Sequence, residues 1–384
     1  MLLLAIYFAF ISLGLPDAML GSAWPVMQPE LGARYASAGW IFMIVSAGTI
    51  VSSITSAHVL RRFGVGRVAV ASVALTAMAL FMFAFAPSYA WLPFAAVPLG
   101  LGAGAIDAGL NAFVAERYES RHMSWLHAFW GVGAMCGPLL LAAVLARGAS
   151  WRLGYLLAAS VQAALAAALL RAHPLWGESG RGTRPEPAGA GSTPSIDHRK
   201  WFLPLRAPGV KTALLSFFCY CGIEASLGLW GASFLSKARG LSPGTAASWL
   251  SGCYAGLTAG RFLTGFLTYR VSNGNLIRSG CLAILAGAIL TAFPLPLPLA
   301  GFLMIGLGCA PIFPCLLQET PNRFASADPR AIMGFQMAAA YIGTTFLAPA
   351  FGFIAAATSF SLLPFFLLAC IAVLAIGSES LRRM

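Results

Sequence analysis

The amino-acid sequence predicts an all-α membrane protein whose twelve transmembrane helices form two pseudo-symmetric six-helix bundles. Three observations carry this. Of 384 residues, 59% are hydrophobic and 9% charged, where a soluble domain carries about 25% charged residues. Twelve apolar runs have the roughly 20-residue length that crosses a bilayer. Short patterns in the first half recur in the second at a nearly constant spacing.

The spans fall at 2–27, 36–60, 67–87, 91–115, 123–146, 151–172, 208–236, 242–268, 275–294, 297–318, 331–356 and 359–378. The first opens MLLLAIYFAF, like a signal peptide. It lacks a basic n-region and outruns the usual apolar core of about 7–15 residues, so it predicts a retained helix. Its middle reads GLPDAMLGSAW (14–24). There Gly14, Pro16 and Gly21 flank Asp17 and predict a broken or bent helix, whose freed backbone groups face a cavity. In the fourth span Gly100 and Gly104 have the GxxxG spacing that permits close helix approach. In the tenth, Pro311 and Pro314 predict a kink.

Orientation follows from the basic residues. Of 24 Lys and Arg, only Arg34, Arg147, Arg152, Lys237 and Arg239 fall on the side opposite the N-terminus. The positive-inside rule then places both termini in the cytoplasm, with the plasma (inner) membrane as the expected setting. An odd number of spans would spoil the asymmetry. Between spans six and seven lies WGESGRGTRPEPAGAGSTPSIDHRK (176–200), rich in Gly, Pro and Ser. Such a composition buries no core and reads as a flexible linker. The chain divides into an N-terminal bundle (1–172), a cytoplasmic linker (173–207) and a C-terminal bundle (208–384).

The halves repeat one another. DAMLGSAW at Asp17 pairs with EASLGLW at Glu224, an offset of 207. Trp40 pairs with Trp249 and Arg61 with Arg270, each at 209. LGLGAG in span four matches IGLGCA in span ten, and LHAF in span five lies opposite FQMA in span eleven. Each match alone is weak; together, in corresponding spans, they predict two parallel repeats with a site at their interface near the bilayer midplane.

Several classes are excluded. The net charge of +12 sits between apolar runs, and nothing resembles a zinc finger, basic helix or RNA-binding motif, so no nucleic-acid partner is expected. No G-x-x-x-x-G-K-[ST] loop points to an ATP-driven pump, and no H-E-x-x-H or G-x-S-x-G points to an enzyme. The eight cysteines all lie in apolar runs and read as small packing residues. No metal and no cofactor is expected. The partners are a small-molecule substrate and the lipid bilayer, and the expected form is a monomer.

The loop RRFGVGRV (61–68) resembles the cytoplasmic loop between the second and third helices of the major facilitator superfamily, without its usual acidic residue. GRFLTGFLTYR (260–270) is a degraded counterpart. More narrowly, GLPDAMLGSAWPVM, GLGAGAIDAGLNAF, LHAFWGVGAMCGPLL, GIEASLGLWG and GFQMAAAYIG resemble the fucose–glucose permease (fucose:proton symporter) branch. In that branch helix one carries an aspartate. Helix four carries a glutamate followed by asparagine four residues on, and both acids serve proton coupling and sugar binding. The resemblance implies those roles for Asp17, Asp107 and Asn111, with aspartate one methylene shorter where the branch has glutamate.

Asp17, Asp107 and Glu224 are the acids deep in spans. An aspartate at a helix centre costs about 2.5–3.5 kcal/mol on insertion scales, so three acids cost roughly 8–10. No basic residue is expected to neutralise them: Lys211 lies too near the cytoplasmic end of span seven, and Arg261 toward that end of span eight. A carboxyl group in a cavity wetted from alternate sides takes a proton from one side and loses it to the other. Asp17 and Asp107 are the expected proton-coupling pair. Asn111, one turn from Asp107, joins His127, Glu224 and Gln336 as expected substrate-binding groups. Trp24, Trp130 and Trp230 are expected stacking platforms for a sugar ring. The competing reading for each acid is a neutral or interhelical structural role, and for each Trp an interface anchor or a packing residue. Arg61, Arg62 and Arg270 are expected to face headgroups or lock the inner mouth.

The reading is a secondary transporter: proton-coupled symport of a small neutral polar solute, a monosaccharide foremost, by alternating access. The alternatives are a proton-coupled drug or metabolite efflux antiporter, a sodium-coupled sugar symporter and a non-transporting solute sensor.

Overall fold

The structure, a computed structural model, describes residues 2–118, 120–172, 203–325 and 328–383. Its helices are α1 (Leu2–Asp17), α2 (Met19–Glu30), α3 (Ser37–Phe63), α4 (Val65–Ala84), α5 (Leu92–Arg117), α6 (Ser120–Ala146) and α7 (Trp151–Arg171) in the first half. The second half holds α8 (Val210–Arg239), α9 (Pro243–Leu267), α10 (Asn273–Ala292), α11 (Leu297–Arg323), α12 (Pro329–Ala357) and α13 (Leu363–Arg383). Among the described residues there is no strand. The linker expected over 173–207 falls mostly on residues outside the described ones.

Together α1 and α2 make the first span, interrupted at Ala18, the residue after Asp17. Pro16 supplies no N–H and its ring crowds the preceding turn. Eleven helical segments among the described residues are long and apolar enough to cross a membrane. The twelfth span is α9, 25 residues long. It is less apolar because Ser251, Thr258 and Arg261 give it a polar stripe that meets α6. Helix ends differ most from the expected spans where ion pairs extend a helix past its apolar run. Thus α11 continues to Arg323 through the Glu319–Arg323 pair, and α13 reaches Arg383, with Glu379 held by Arg278. Although Pro311 and Pro314 lie inside it, α11 runs unbroken.

Successive spans alternate in direction. One face of the bundle carries the termini and the 64 and 268–272 turns; call it the terminal face. The opposite face carries the 31–36 and 240–242 turns. Helix pairing is the same in both halves: α1 on α6 as α8 on α12, α3 on α5 as α9 on α11, α4 on α5 as α10 on α11, and α4 on α7 as α10 on α13. The halves meet through α6 on α9, α3 on α12 and α2 on α8.

The repeat extends to single glycines. A Cβ on Gly133 would strike the carbonyl oxygen of Ile11, and one on Gly343 that of Phe218, the residue 207 positions on. Likewise Gly100 faces the Val45 carbonyl and Gly306 that of Cys253. Where helices approach this closely, only glycine fits. Gly133→Val is expected to destabilise the protein by roughly 1–3 kcal/mol or more, because backbone atoms cannot step aside as a side chain can. A thermal-unfolding series in detergent checks this, with Gly265→Val, which meets nothing within 4 Å, expected to behave as the parent.

Candidate functional site

Asp17 is exposed although Leu15, Pro16, Ala18 and Met19 around it are buried. An accessible carboxylate inside a buried stretch marks a cavity. Trp130 on α6 fixes its orientation, donating from Nε1 to Asp17 Oδ2 at 2.8 Å. The indole is met from the other half. The Arg261 guanidinium on α9 lies 5.0 Å from its centroid, and Tyr254 meets it edge to face at 6.5 Å.

Arg261 spans the interface between halves. Its Nη1 donates to the His127 carbonyl oxygen at 3.3 Å, and its Nη2 lies 4.0 Å from Glu224 Oε1. The other oxygen of Glu224 accepts from the Tyr220 hydroxyl at 2.7 Å. A chain of contacts therefore runs from Asp17 through Trp130 and Arg261 to Glu224, joining the two repeat-related acids. Asp107 and Glu224 both lie within electrostatic reach of Asp17. On α5, Asn111 Nδ2 donates to Asp107 Oδ1 at 2.9 Å and to the Asp107 carbonyl at 3.0 Å. Its own Oδ1 is buried without a partner. Tyr341 on α12 lies beside Ser53 and within electrostatic reach of Asp107.

Beyond the acids, toward the opposite face, the halves are sealed. Every residue from Ala18 to Pro25 on the first span is buried, as is every one from Ser226 to Leu235 on α8. Gly21 packs directly on the backbone of Gly228 and Leu229. Nearer the opposite face Trp40 meets Phe353 at 5.5 Å, Tyr35 meets Phe360 at 4.9 Å, and Lys237 lies 5.0 Å over the Tyr35 ring. The cavity at Asp17 is therefore closed toward the opposite face.

Of the residues expected at the site, Asp17, Asp107, Asn111, Trp130 and Glu224 are brought together. His127 contributes its backbone carbonyl, while its ring stands edge-on to Phe10 at 6.1 Å. Trp24 and Trp230 are not stacking platforms in this conformation. Both are fully buried, and a buried indole N–H needs an acceptor: Trp24 donates to the Tyr35 carbonyl at 2.9 Å and Trp230 to the Ala348 carbonyl at 2.6 Å. Gln336 is likewise buried and accepts from Thr320 Oγ1 at 3.0 Å, tying α12 to α11. Arg61, Arg62 and Arg270 are exposed, and among the described residues no ion pair joins any of them to an acid; Arg62 covers the Phe63 ring at 5.5 Å. The expectation that no basic residue approaches the acids is corrected by Arg261. The missed residues are Arg261, Tyr254, Tyr220 and Tyr341. Three-and-four spacing of Ser251, Tyr254, Thr258 and Arg261 puts a polar stripe on one face of α9, and that signal was present.

In sequence the chain is 24% identical to the yeast (Saccharomyces cerevisiae) protein "Bypass of stop codon protein 6" over 303 residues, 74% of this chain and 61% of that protein. It thus spans less than two thirds of that relative. An uncharacterized MFS-type transporter of Yersinia pestis is 25% identical over 369 residues, 92% of this chain and 88% of that one. In structure it is similar to a variant of the nucleoside transporter NupG, with a TM-score of 0.78 at 13% identity, covering 99% of this chain and 100% of that one. A bacterial homolog of the human lysosomal transporter Spinster, inward-facing and occupied, gives a TM-score of 0.70 at 15% identity, covering 100% and 96%. At such identities the two structures establish the fold. The family model of the Major Facilitator Superfamily matches residues 6–328, and with a twelve-span fold built of two repeats the chain belongs to that superfamily: a multi-pass membrane transporter rather than an enzyme.

Proposed function

We propose that the chain is a proton-coupled symporter of a small, neutral, polyhydroxylated solute, a monosaccharide foremost, working by alternating access, as in the fucose–glucose permease branch. The observation that carries the reading is the accessible Asp17 carboxylate at a helix break between two repeats, in a cavity closed toward the opposite face. A carboxylate so placed exchanges protons with one side at a time, which is the requirement for coupling. With the termini in the cytoplasm, the conformation is inward-facing. Opening outward requires the Gly21–Gly228 contact and the aromatic pairs beyond it to part, while the bundles rock about the site.

The polar groups suit a polyol. The unpartnered Asn111 Oδ1 accepts from a hydroxyl, and the carboxylates of Asp107 and Glu224 accept further hydroxyl protons. Trp130 offers a ring face to the apolar side of a sugar. A nucleoside is the second reading: it presents the same ribose hydroxyls with a base to stack on Trp130, and the structural similarity to a nucleoside transporter favours it.

Proteoliposome uptake tests the proposal. Accumulation of a sugar or a nucleoside is expected to follow an imposed inward proton gradient at fixed sodium. Uptake that ignores that gradient sinks the coupling, and substrate-dependent proton release in the opposite sense favours the antiporter. Trp130→Phe keeps the ring but removes the donor to Asp17. A hydrogen bond to a charged group contributes roughly 1.5–3 kcal/mol, so thermal stability is expected to fall by up to that amount, and gradient-driven uptake about tenfold or more.

A further inference from the structure

The second bundle carries a groove that the transport site does not use. It has a volume of about 820 Å³ and lies between the start of α10 and the ends of α11 and α13, at the terminal face. Its walls are apolar and open outward: Leu282 is 59% and Ile376 72% exposed. Its rim is basic. Arg278, Arg323, Arg382 and Arg383 line it with two acids, Glu319 and Glu379. Arg278 Nη2 donates to both Glu379 oxygens at 2.6 Å, Arg323 pairs with Glu319, and Arg383 Nε lies 3.9 Å from Glu379. These pairs consume the two acids and leave the rim with excess positive charge at the mouth of an apolar slot.

We propose that this groove binds an anionic phospholipid of the surrounding leaflet. The headgroup phosphate sits on Arg382 and Arg383, with Arg278 behind them, and an acyl chain lies along Leu282, Leu285 and Ile376. Charge complementarity fixes the occupant: a basic rim over an apolar wall at the membrane boundary matches a molecule with a phosphate at one end and hydrocarbon at the other. A free anion satisfies only the rim, and a zwitterionic lipid cancels the charge that the rim selects.

Native mass spectrometry of the full chain, with phosphatidylglycerol as the probe, tests this alongside thermal unfolding. The parent is expected to retain phosphatidylglycerol but not phosphatidylcholine, and inorganic phosphate alone is expected to give no stabilisation. Arg382 and Arg383 are exposed, so the double variant R382Q/R383Q leaves the core intact. It is expected to weaken retention roughly thirty-fold, from the attraction of two basic residues to an anionic lipid. Ile376→Trp, which fills the slot with the arginines in place, is expected to weaken it as well. The variant R61Q/R62Q, which removes equal charge from the other half, is expected to retain lipid as the parent does. Equal retention of both lipids, equal loss in R61Q/R62Q, no loss in either groove variant, or protection by phosphate alone overturns the proposal.

Discussion

Arg261→Gln is expected to stop transport and to destabilise the protein, whereas the double variant E224Q/R261Q regains the stability and not the transport. Arg261 touches both halves: the His127 carbonyl and Trp130 in the first, Glu224 in the second. Removing it leaves Glu224, 23% exposed at its side chain, without its cation in a half-buried site. Breaking a fully buried pair costs about 3–5 kcal/mol. Here the partners are partly wetted and 4.0 Å apart, so roughly 1–3 kcal/mol is the fitting range. Neutralising Glu224 as well removes the stranded charge, so the two changes are expected to be less than additive, and a double-mutant cycle by thermal unfolding measures that coupling. Transport does not return, because the bridge between halves is still absent. Additive losses of stability would show that the two side chains act independently.

The first bundle's logic was legible because it depends on position along the chain. Pro16, Gly14 and Gly21 beside an acid foretold the interruption that falls at Ala18, and Gly100 with Gly104 foretold a close helix approach, which the structure makes with the backbone of α3. What could not be read was direction around and along each helix. By its place in the span Arg261 lies toward the cytoplasmic end. Yet Cα–Cβ bonds tilt toward a helix N-terminus. Because α9 starts at the opposite face, the long Arg261 side chain leans back toward the midplane. Because α8 starts at the terminal face, Glu224 leans down to meet it. Counting apolar residues carries no such vector. Trp24 and Trp230 show the complementary failure. Their repeat relation was visible, but only three-dimensional packing shows that each ring is enclosed and its N–H spent on a backbone carbonyl. In Trp230 that enclosure includes Gly352, whose missing side chain leaves room for the indole. A repeat pair signals shared structure, and a shared packing anchor repeats as faithfully as a shared ligand.

Asp17→Asn is expected to uncouple the transporter without dismantling its site. Asparagine has the shape of aspartate, and its Oδ1 can still accept from Trp130 Nε1, so the helix break and the indole keep their positions. It cannot take up or release a proton. With one proton per solute, an inward gradient of one pH unit is worth about 1.4 kcal/mol, or about tenfold accumulation. The variant is therefore expected to bring the accumulation ratio down to one at any imposed gradient, while exchange of internal for external solute continues. That split separates coupling from binding: loss of both would assign Asp17 to the solute. Asp107→Asn makes the paired comparison. Its partner Asn111 is held through Nδ2, a donor that an amide oxygen at position 107 also satisfies, so this change too spares local geometry. If Asp17 alone carries the coupled proton, Asp107→Asn weakens binding but preserves the response to the gradient. If each variant halves the response, the two carboxyls share the proton and titrate as a pair. An Asp17→Asn protein that still concentrates its solute against a gradient would remove the carboxylate at the helix break from the coupling step.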